Sequence, residues 1–414
     1  MIDSKYDQLP FLPETRLEQV ADGITLCHPL SRRGHGPGFI VVVPTTGTID
    51  SKTLAIKDGV PSPLMKYAEE GFTTVEITEK ALDAATNSLS VACAAVSACS
   101  STTPKDAIGL IAYTPDLWNR ISSALAAFPQ IRGAGVYGDL PSLPSLNPSP
   151  VPFVQHVAGK SPTLLPGGDG VTAYEYPDVT SALFAVPFQP QFDYSSEAVS
   201  HTRNLMFFKK LLNGPYFDLE ALWDEHTYYE FENRSLECTM GTMVQEPYVN
   251  HVPTLTGGTG REKLTAFYRD HFIFHNPDDV VTTLTSRSTG IDRVIDEFLF
   301  QCTHVSTIDW LAPGIPGTGR KLCIPFIAVV NIRGDRLYHE HIWWDQGTVL
   351  KQLGLMPDYL PLPTPISSKD EPTPRGRFEY RVPAMGIETA QKLKDRNSVE
   401  SNQMFEYKVR QIEN

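Results

Sequence analysis

The densest store of proton-transfer groups in the chain runs from Arg336 to Gln346, as Arg-Leu-Tyr-His-Glu-His-Ile-Trp-Trp-Asp-Gln. The stretch alternates like a strand. His339, His341, Trp343 and Asp345 share one face, and Tyr338, Glu340, Ile342 and Trp344 share the other. Only one set can face a pocket. His341 and Asp345 are candidate acid–base groups, and Trp343 or Trp344 would stack a flat or polyene ligand. His341, Trp343 and Asp345 must therefore move together, either into a pocket or onto a Trp-rich subunit interface. The two outcomes make opposite demands on Glu340 and Trp344.

A second stretch, Arg293 to His304, carries adjacent carboxylates. Asp296, Phe298, Phe300, Cys302 and His304 alternate with Glu297, Leu299, Gln301 and Thr303, so Asp296 and Glu297 cannot both point inward. Asp296 lies on the more apolar face, which would raise its pKa most and suit a general base; Glu297 is the reserve. His304 shares the Asp296 face and could complete an acid–base pair, or it could simply satisfy backbone at a bend. Phe298 and Phe300 would wall the ligand. His251 closes the short strand begun by Tyr248, just before Thr254 and a glycine loop. Arg287 could clamp a carboxylate or a substrate oxygen.

Four histidines on different strands (His251, His304, His339, His341) raise the question of a metal. Residues two apart on one strand stand about 7 Å apart, too wide for easy chelation, so no metal is expected. The loops at 256–260 and 314–319 lack the Gly-x-x-x-x-Gly-Lys-Ser/Thr arrangement of phosphate loops.

The elements that must position these groups fall into two rhythms. Residues 36–212 alternate strands with helices. The continuous apolar run Gly38-Phe-Ile-Val-Val-Val reads as a strand buried on both faces, which implies a parallel α/β sheet. Strands are expected near 72–77, 107–113, 133–137, 151–156 and 172–176, with helices over 64–70, 117–128 and 201–212. Asn213-Gly-Pro215 breaks the last helix. From 216 to 356, helices over 217–231 and 260–274 precede long strands over 280–289, 293–304, 322–332 and 336–345, an α+β pattern with a curved antiparallel sheet. Gly334-Asp335 is the expected hairpin turn. Residues 1–35 read as an irregular lead-in and 361–414 as an extended tail, with a short helix over 388–396.

Composition narrows the partners. A net charge of −13 over 414 residues argues against nucleic acid and anionic membrane surfaces. No apolar run is long enough to span a bilayer, and the first residues lack a secretory apolar core. The six cysteines show no CxxC pair or zinc spacing and read as reduced, buried thiols of a cytoplasmic protein.

The strand order of residues 36–212 resembles the dienelactone hydrolases, α/β-hydrolase-fold enzymes with a cysteine nucleophile in a Gly-Tyr-Cys-x-Gly-Gly turn. Here the matching stretch is Ala112-Tyr-Thr-Pro-Asp-Leu117. Thr114 stands at the nucleophile position, and Pro115 removes a backbone donor where an oxyanion would be held. The acid position near His156–Ser161 has no carboxylate, and the stretch 176–184 has no histidine. The triad is lost on this reading, leaving Thr114 as the one alternative nucleophile.

Residues 216–356 resemble the SnoaL-like group of the nuclear-transport-factor-like cone fold. The phrases that carry the resemblance are Tyr248-Val-Asn-His-Val-Pro-Thr-Leu-Thr-Gly-Gly258, Ser286-Arg-Ser-Thr-Gly290, Asp296-Glu297 with Thr303-His304, Pro316-Gly-Thr-Gly-Arg320 and His339-Glu-His-Ile-Trp-Trp-Asp-Gln346. The pair is similar to fungal proteins of polyketide secondary metabolism that join the two domains. The resemblance implies a cofactor-free tailoring enzyme, a hydrolase or cyclase. It would open an epoxide by hydrolysis or by cyclisation to a cyclic ether, inside an apolar cone, on a small polyketide-like apolar substrate. Cyclase, isomerase or dehydratase chemistry in the same cone remains open. So do a lactone or ester hydrolase in the first domain, and a non-catalytic binding protein. Relatives of the cone fold also pair through the outer face of the sheet, so a homodimer is a further expectation.

Overall fold

The computed structural model describes residues 6, 9–45, 56–57, 59–83, 87–163, 165, 168, 170–362 and 376–413. Eight strands of the first half form one sheet: β1 (Leu17–Ala21), β2 (Ile24–Cys27), β3 (Gly38–Val43), β4 (Thr73–Thr78), β5 (Ile108–Ala112), β6 (Ile131–Asp139), β7 (Phe153–Ala158) and β8 (Val171–Tyr176). Their order is β1-β2-β4-β3-β5-β6-β7-β8. The first two are antiparallel and the rest run parallel. β3, β4 and β5 are buried on both faces almost throughout; β3 and β5 do so as unbroken apolar runs, whereas β4 buries Thr73, Thr74 and Glu76 beside Val75 and Ile77. Helices α1 (Pro63–Glu69), α2 (Ser88–Ala98), α3 (Pro115–Ile121) and α4 (Tyr194–Leu212) cover the sheet. The lead-in is not wholly irregular, since it contains β1 and β2. Thr114 is the N-cap of α3, its hydroxyl accepting the Leu117 N–H at 3.3 Å.

The second half opens with α5 (Leu219–Thr227) and α6 (Arg261–Phe267), each running on into a π-helical turn, Tyr228–Glu232 and Tyr268–Phe272. Six strands then curve around them: β9 (Met243–His251), β10 (Thr256–Thr259), β11 (Val281–Thr289), β12 (Arg293–Thr303), β13 (Lys321–Arg333) and β14 (Arg336–Trp344). The order is β10-β9-β14-β13-β12-β11. All neighbours are antiparallel except β9 and β14. The segment read from the sequence as an extended tail is more ordered than that within its described part. After α7 (Gln346–Gln352), strands β15 (Tyr359–Pro361), β16 (Gly376–Arg381) and β17 (Arg410–Glu413) make a small sheet, and α8 (Glu388–Lys394) packs beside β13.

The β13–β14 hairpin turns at Gly334–Asp335, as the sequence predicts, and its tip enters the first half of the molecule. Gly334 takes φ +60°, and a Cβ there would collide with the Glu69 carbonyl, so only glycine fits. Around the tip lies a buried charge lattice. Arg333 donates to Glu69 at 2.8 Å and lies over the Tyr338 ring at 3.5 Å. Lys66 pairs with Glu197 at 2.6 Å, and Glu70 takes His201 at 2.9 Å and Lys209 at 3.4 Å. Burial alone would raise the Glu70 pKa, but Lys209 and His201 carry it down to about 2. His201, at the start of the helix expected over 201–212, is thus an interior partner of Glu70. Replacing Arg333 by alanine would strand Glu69 as an uncompensated buried charge. The expected cost is about 3–5 kcal/mol, measured as a lowered denaturation midpoint of the whole chain.

Candidate functional site

The curved sheet and the two π-turned helices enclose a cavity of about 290 Å³. That is near the lower end of the roughly 300–1,000 Å³ usual for small-molecule sites. Aromatic rings are the largest group in its lining: Trp223, Phe231, Phe267, Tyr268, Phe272, Phe298, Phe300, Trp310 and Phe326. Its polar groups gather at two poles.

The inner pole is His226 with Glu230, Glu340 and Tyr268. His226 comes from α5, Glu230 from the π turn that follows it, Tyr268 from the π turn after α6, and Glu340 from β14. His226 Nε2 lies 3.1 Å from Glu230 Oε1 and 3.1 Å from Glu340 Oε1. The Tyr268 hydroxyl is 3.4 Å from both His226 Nε2 and Glu340 Oε1. On the far side of the ring, His226 Nδ1 is 2.6 Å from the Thr242 hydroxyl, which itself donates to the Thr239 carbonyl at 2.6 Å. With its one proton so committed, Thr242 can only accept, and His226 Nδ1 must carry a hydrogen. The Trp223 indole stacks on the imidazole at 5.7 Å and 16°. Burial by itself would lower the His226 pKa, but Glu230 and Glu340 override it and raise it to about 10. Burial raises the Glu340 carboxyl, and the His226 charge offsets this only in part. The inner pole therefore holds an imidazolium between two carboxyl groups, one of them inclined to keep a proton. These three donor atoms lie within 4.8 Å of one another, close enough to share a proton or to ligate one cation.

The outer pole is Arg287 with Asp296, Asp224 and Glu220. Arg287 donates from Nε to Asp296 Oδ1 and from Nη2 to Asp296 Oδ2, both at 2.8 Å. It also reaches Asp224 at 2.9 Å and Glu220 at 3.0 Å. The Trp223 Nε1–H gives Asp296 Oδ2 a third bond at 2.8 Å. Three of the roughly four lone-pair sites of Asp296 are thus taken, which makes it an anchor more than a proton acceptor. Trp223 joins the poles, since its ring lies on His226 while its N–H holds Asp296.

Of the residues singled out from sequence, Asp296, Arg287, His251, Phe298 and Phe300 line this cavity. His251 does so as a neutral ring, its pKa pushed down to about 3 by burial, with Trp310 5.0 Å away and Thr256 Oγ1 3.1 Å from Nδ1. Trp344 is buried one layer back, stacked on Phe326 at 5.0 Å. The remaining candidates lie elsewhere. Glu297, His341, Trp343 and Tyr248 are on the outer face of the sheet, because the alternation that turns Glu340 and Ile342 inward turns them out. There His339 and His341 stack at 4.4 Å, with Tyr248 and Trp343 at their edges and Trp343 38% exposed. Asp345 caps α7, accepting from Gly347 N at 3.1 Å and Thr348 N at 3.0 Å. His304 Nδ1 accepts the Thr318 N–H at 3.2 Å and pins the 305–319 loop, the structural role weighed for it from sequence.

The sequence reading does not include His226, Glu230, Tyr268 or Glu340 among the candidates. One signal was present: His226 and Glu230 are four apart on a helix, the spacing that sets two side chains side by side.

No protein-family model matches the chain, and no curated protein is significantly similar to it. Among solved structures, about a third of the chain is similar to a protein of ketosteroid isomerase-like fold from Catenulispora acidiphila, at 15% identity over 33% of this chain and 93% of that one, with a TM-score of 0.27. A SnoaL-like polyketide cyclase candidate from Jannaschia sp. CCS1 matches at 14% identity, 35% and 99% coverage, and a TM-score of 0.27. SalBIII, an epoxide hydrolase/cyclase-like enzyme of pyran ring formation in the polyether salinomycin, matches at 8% identity, 30% and 89% coverage, and a TM-score of 0.24. Part of the chain is thus similar to SnoaL-like and ketosteroid isomerase-like folds, and at these identities and scores no reaction or substrate carries over.

Proposed function

We propose that the chain is an acid–base enzyme that opens an epoxide on an apolar, polyketide-type small molecule, by hydrolysis or by internal cyclisation, inside the cone of its second half. The observation that carries this reading is the His226–Glu230–Glu340 cluster, closed off from solvent and opening onto an aromatic cavity. In such a site one group must give a proton as another takes one, and both need a low-dielectric setting to do it strongly. Glu340, whose carboxyl burial biases towards the protonated form, gives its proton to the epoxide oxygen as the C–O bond breaks. Glu230, as the carboxylate, takes a proton from the water or substrate hydroxyl whose oxygen forms the new C–O bond. His226 Nε2, 3.1 Å from each, returns the proton from Glu230 to Glu340. Water as nucleophile yields a diol; an internal hydroxyl yields a cyclic ether. Tyr268 assists at the oxygen, and Arg287 with Asp296 fixes the cavity mouth.

The sheet of the first half supports reading it as a hydrolase-type scaffold without its chemistry, because Thr114, at the nucleophile position, spends its hydroxyl capping α3. The test is incubation of the full chain with an epoxidised polyene, with product analysis. Diol or cyclic ether should form, should still form after chelator treatment, and should form at an unchanged rate in Thr114→Ala. That variant should lose only about 1 kcal/mol of stability through its missing cap. Absence of both products would sink the epoxide reading, and loss of turnover in Thr114→Ala would move the chemistry to the first half.

A further inference from the structure

The charges around the cone do not balance. Five carboxyl groups line it (Glu220, Asp224, Glu230, Asp296 and Glu340) and only Arg287, with His226 directly behind, offsets two of them. Even with Glu340 protonated, the cavity keeps an excess of negative charge. Most of the remaining lining is aromatic, with Val249, Leu284 and Ile342 between the rings, and ring faces are themselves negative in their quadrupole. His251 adds no cation, and the whole chain carries −13, which repels anions before they reach the mouth.

From this pairing of carboxylates at both poles with aromatic walls between them, we infer that the cone selects ligands by charge: it admits uncharged or cationic molecules, excludes carboxylates and phosphates, and stabilises a positive centre held against its rings. A substrate bearing a carboxylate, phosphate or phosphorylated carrier group would have to desolvate that anion beside Glu220 and Asp224, with Arg287 already fully engaged. For epoxide opening the same arrangement favours the build-up of positive charge on the carbon as its C–O bond breaks; this clause alone rests on the function proposed above. The reaction that supplies the substrate must then deliver a neutral, already released product, and not a carboxylic acid.

Equilibrium binding tests the inference without any turnover. The full chain at pH 7.5 and low salt is titrated with phenyltrimethylammonium, its uncharged isostere tert-butylbenzene, and benzoate, following the tryptophan fluorescence of Trp223 and Trp310. Phenyltrimethylammonium should bind roughly tenfold or more tighter than tert-butylbenzene, as expected for a desolvated cation on aromatic faces. Benzoate should not compete. Asp224→Asn, which alters a half-exposed carboxylate, and Glu230→Gln should each cut the affinity for the ammonium several-fold and leave tert-butylbenzene unaffected. Equal binding of the cation and its isostere, tighter binding of benzoate, or an ammonium preference untouched in both variants would overturn the inference, whatever the outcome with epoxides.

Discussion

Glu340→Gln should lower kcat/KM on an epoxidised polyene by about 10²–10⁴-fold, the usual worth of one positioned acid or base. It should do so with little loss of fold. The amide is isosteric, can still accept from His226, and removes one of two carboxyl groups crowded on a single imidazole. Burial already raises the Glu340 pKa, so a neutral group is well suited to the position. A denaturation midpoint close to that of the parent, combined with a large fall in turnover, is what a reacting group predicts and a structural one does not. The contrast residue is His341, the next residue along β14 and therefore on its outer face. His341→Ala should leave turnover within a few-fold of the parent. If Glu340→Gln keeps full activity, the inner pole is not the acid–base centre.

The second large effect is on stability against pH. Folded His226 holds its proton to about pH 10, whereas the unfolded chain gives it up near the ordinary 6.5. The folded state therefore binds more protons across this interval, and stability must fall as pH rises. The contribution of His226 is complete below about pH 6.5, shrinks steadily through the interval, and is gone above 10. Denaturant titrations at several pH values between 6 and 10.5 should show a loss on the order of several kcal/mol, and His226→Gln should flatten that slope. The acid side has a different owner. Glu70 is depressed to about 2 from 4.5, so its contribution is present above pH 4.5 and lost as pH falls towards 2. A stability curve that stays level from pH 7 to 10 in the parent would contradict the proton-sharing arrangement at His226.

Much of this architecture is legible in the residues. The continuous apolar run Gly38–Val43 announces β3, the Gly-Asp pair announces the turn at Gly334, and the long strands of the second half and the partition of β14 into two faces follow from period-two reasoning. What alternation cannot supply is the sign, that is, which face is concave. His341, Trp343 and Asp345 look like the chemical set because they are conspicuous, yet the curvature of the sheet selects Glu340, Ile342 and Trp344. His226 and Glu230 hide for another reason. On a helix this polar pair passes for part of a solvated face, whereas the fold buries both residues, Glu230 within the π turn over Tyr228–Glu232. Helix α2 is invisible to periodicity because Val91, Ala94 and Ala95 leave its outer face little more polar than the buried row Leu89, Ala92, Cys93 and Val96. β1 escapes because it is short, polar and largely exposed.

The hairpin tip lodged against Glu69 and Glu70 constrains how this architecture can change over time. Glu340 lies on the strand that leaves that tip, so the carboxyl proposed as the acid and the inter-half seam share one piece of backbone. A recombination event that brought in a cone from a relative would import a new tip facing an old socket. Such exchanges should fail unless α1 and α4 travel with the cone, since they carry Lys66, Glu69, Glu70, Glu197 and His201. In this molecule, the first half is inherited as the mould in which the β13–β14 hairpin of the second half is set.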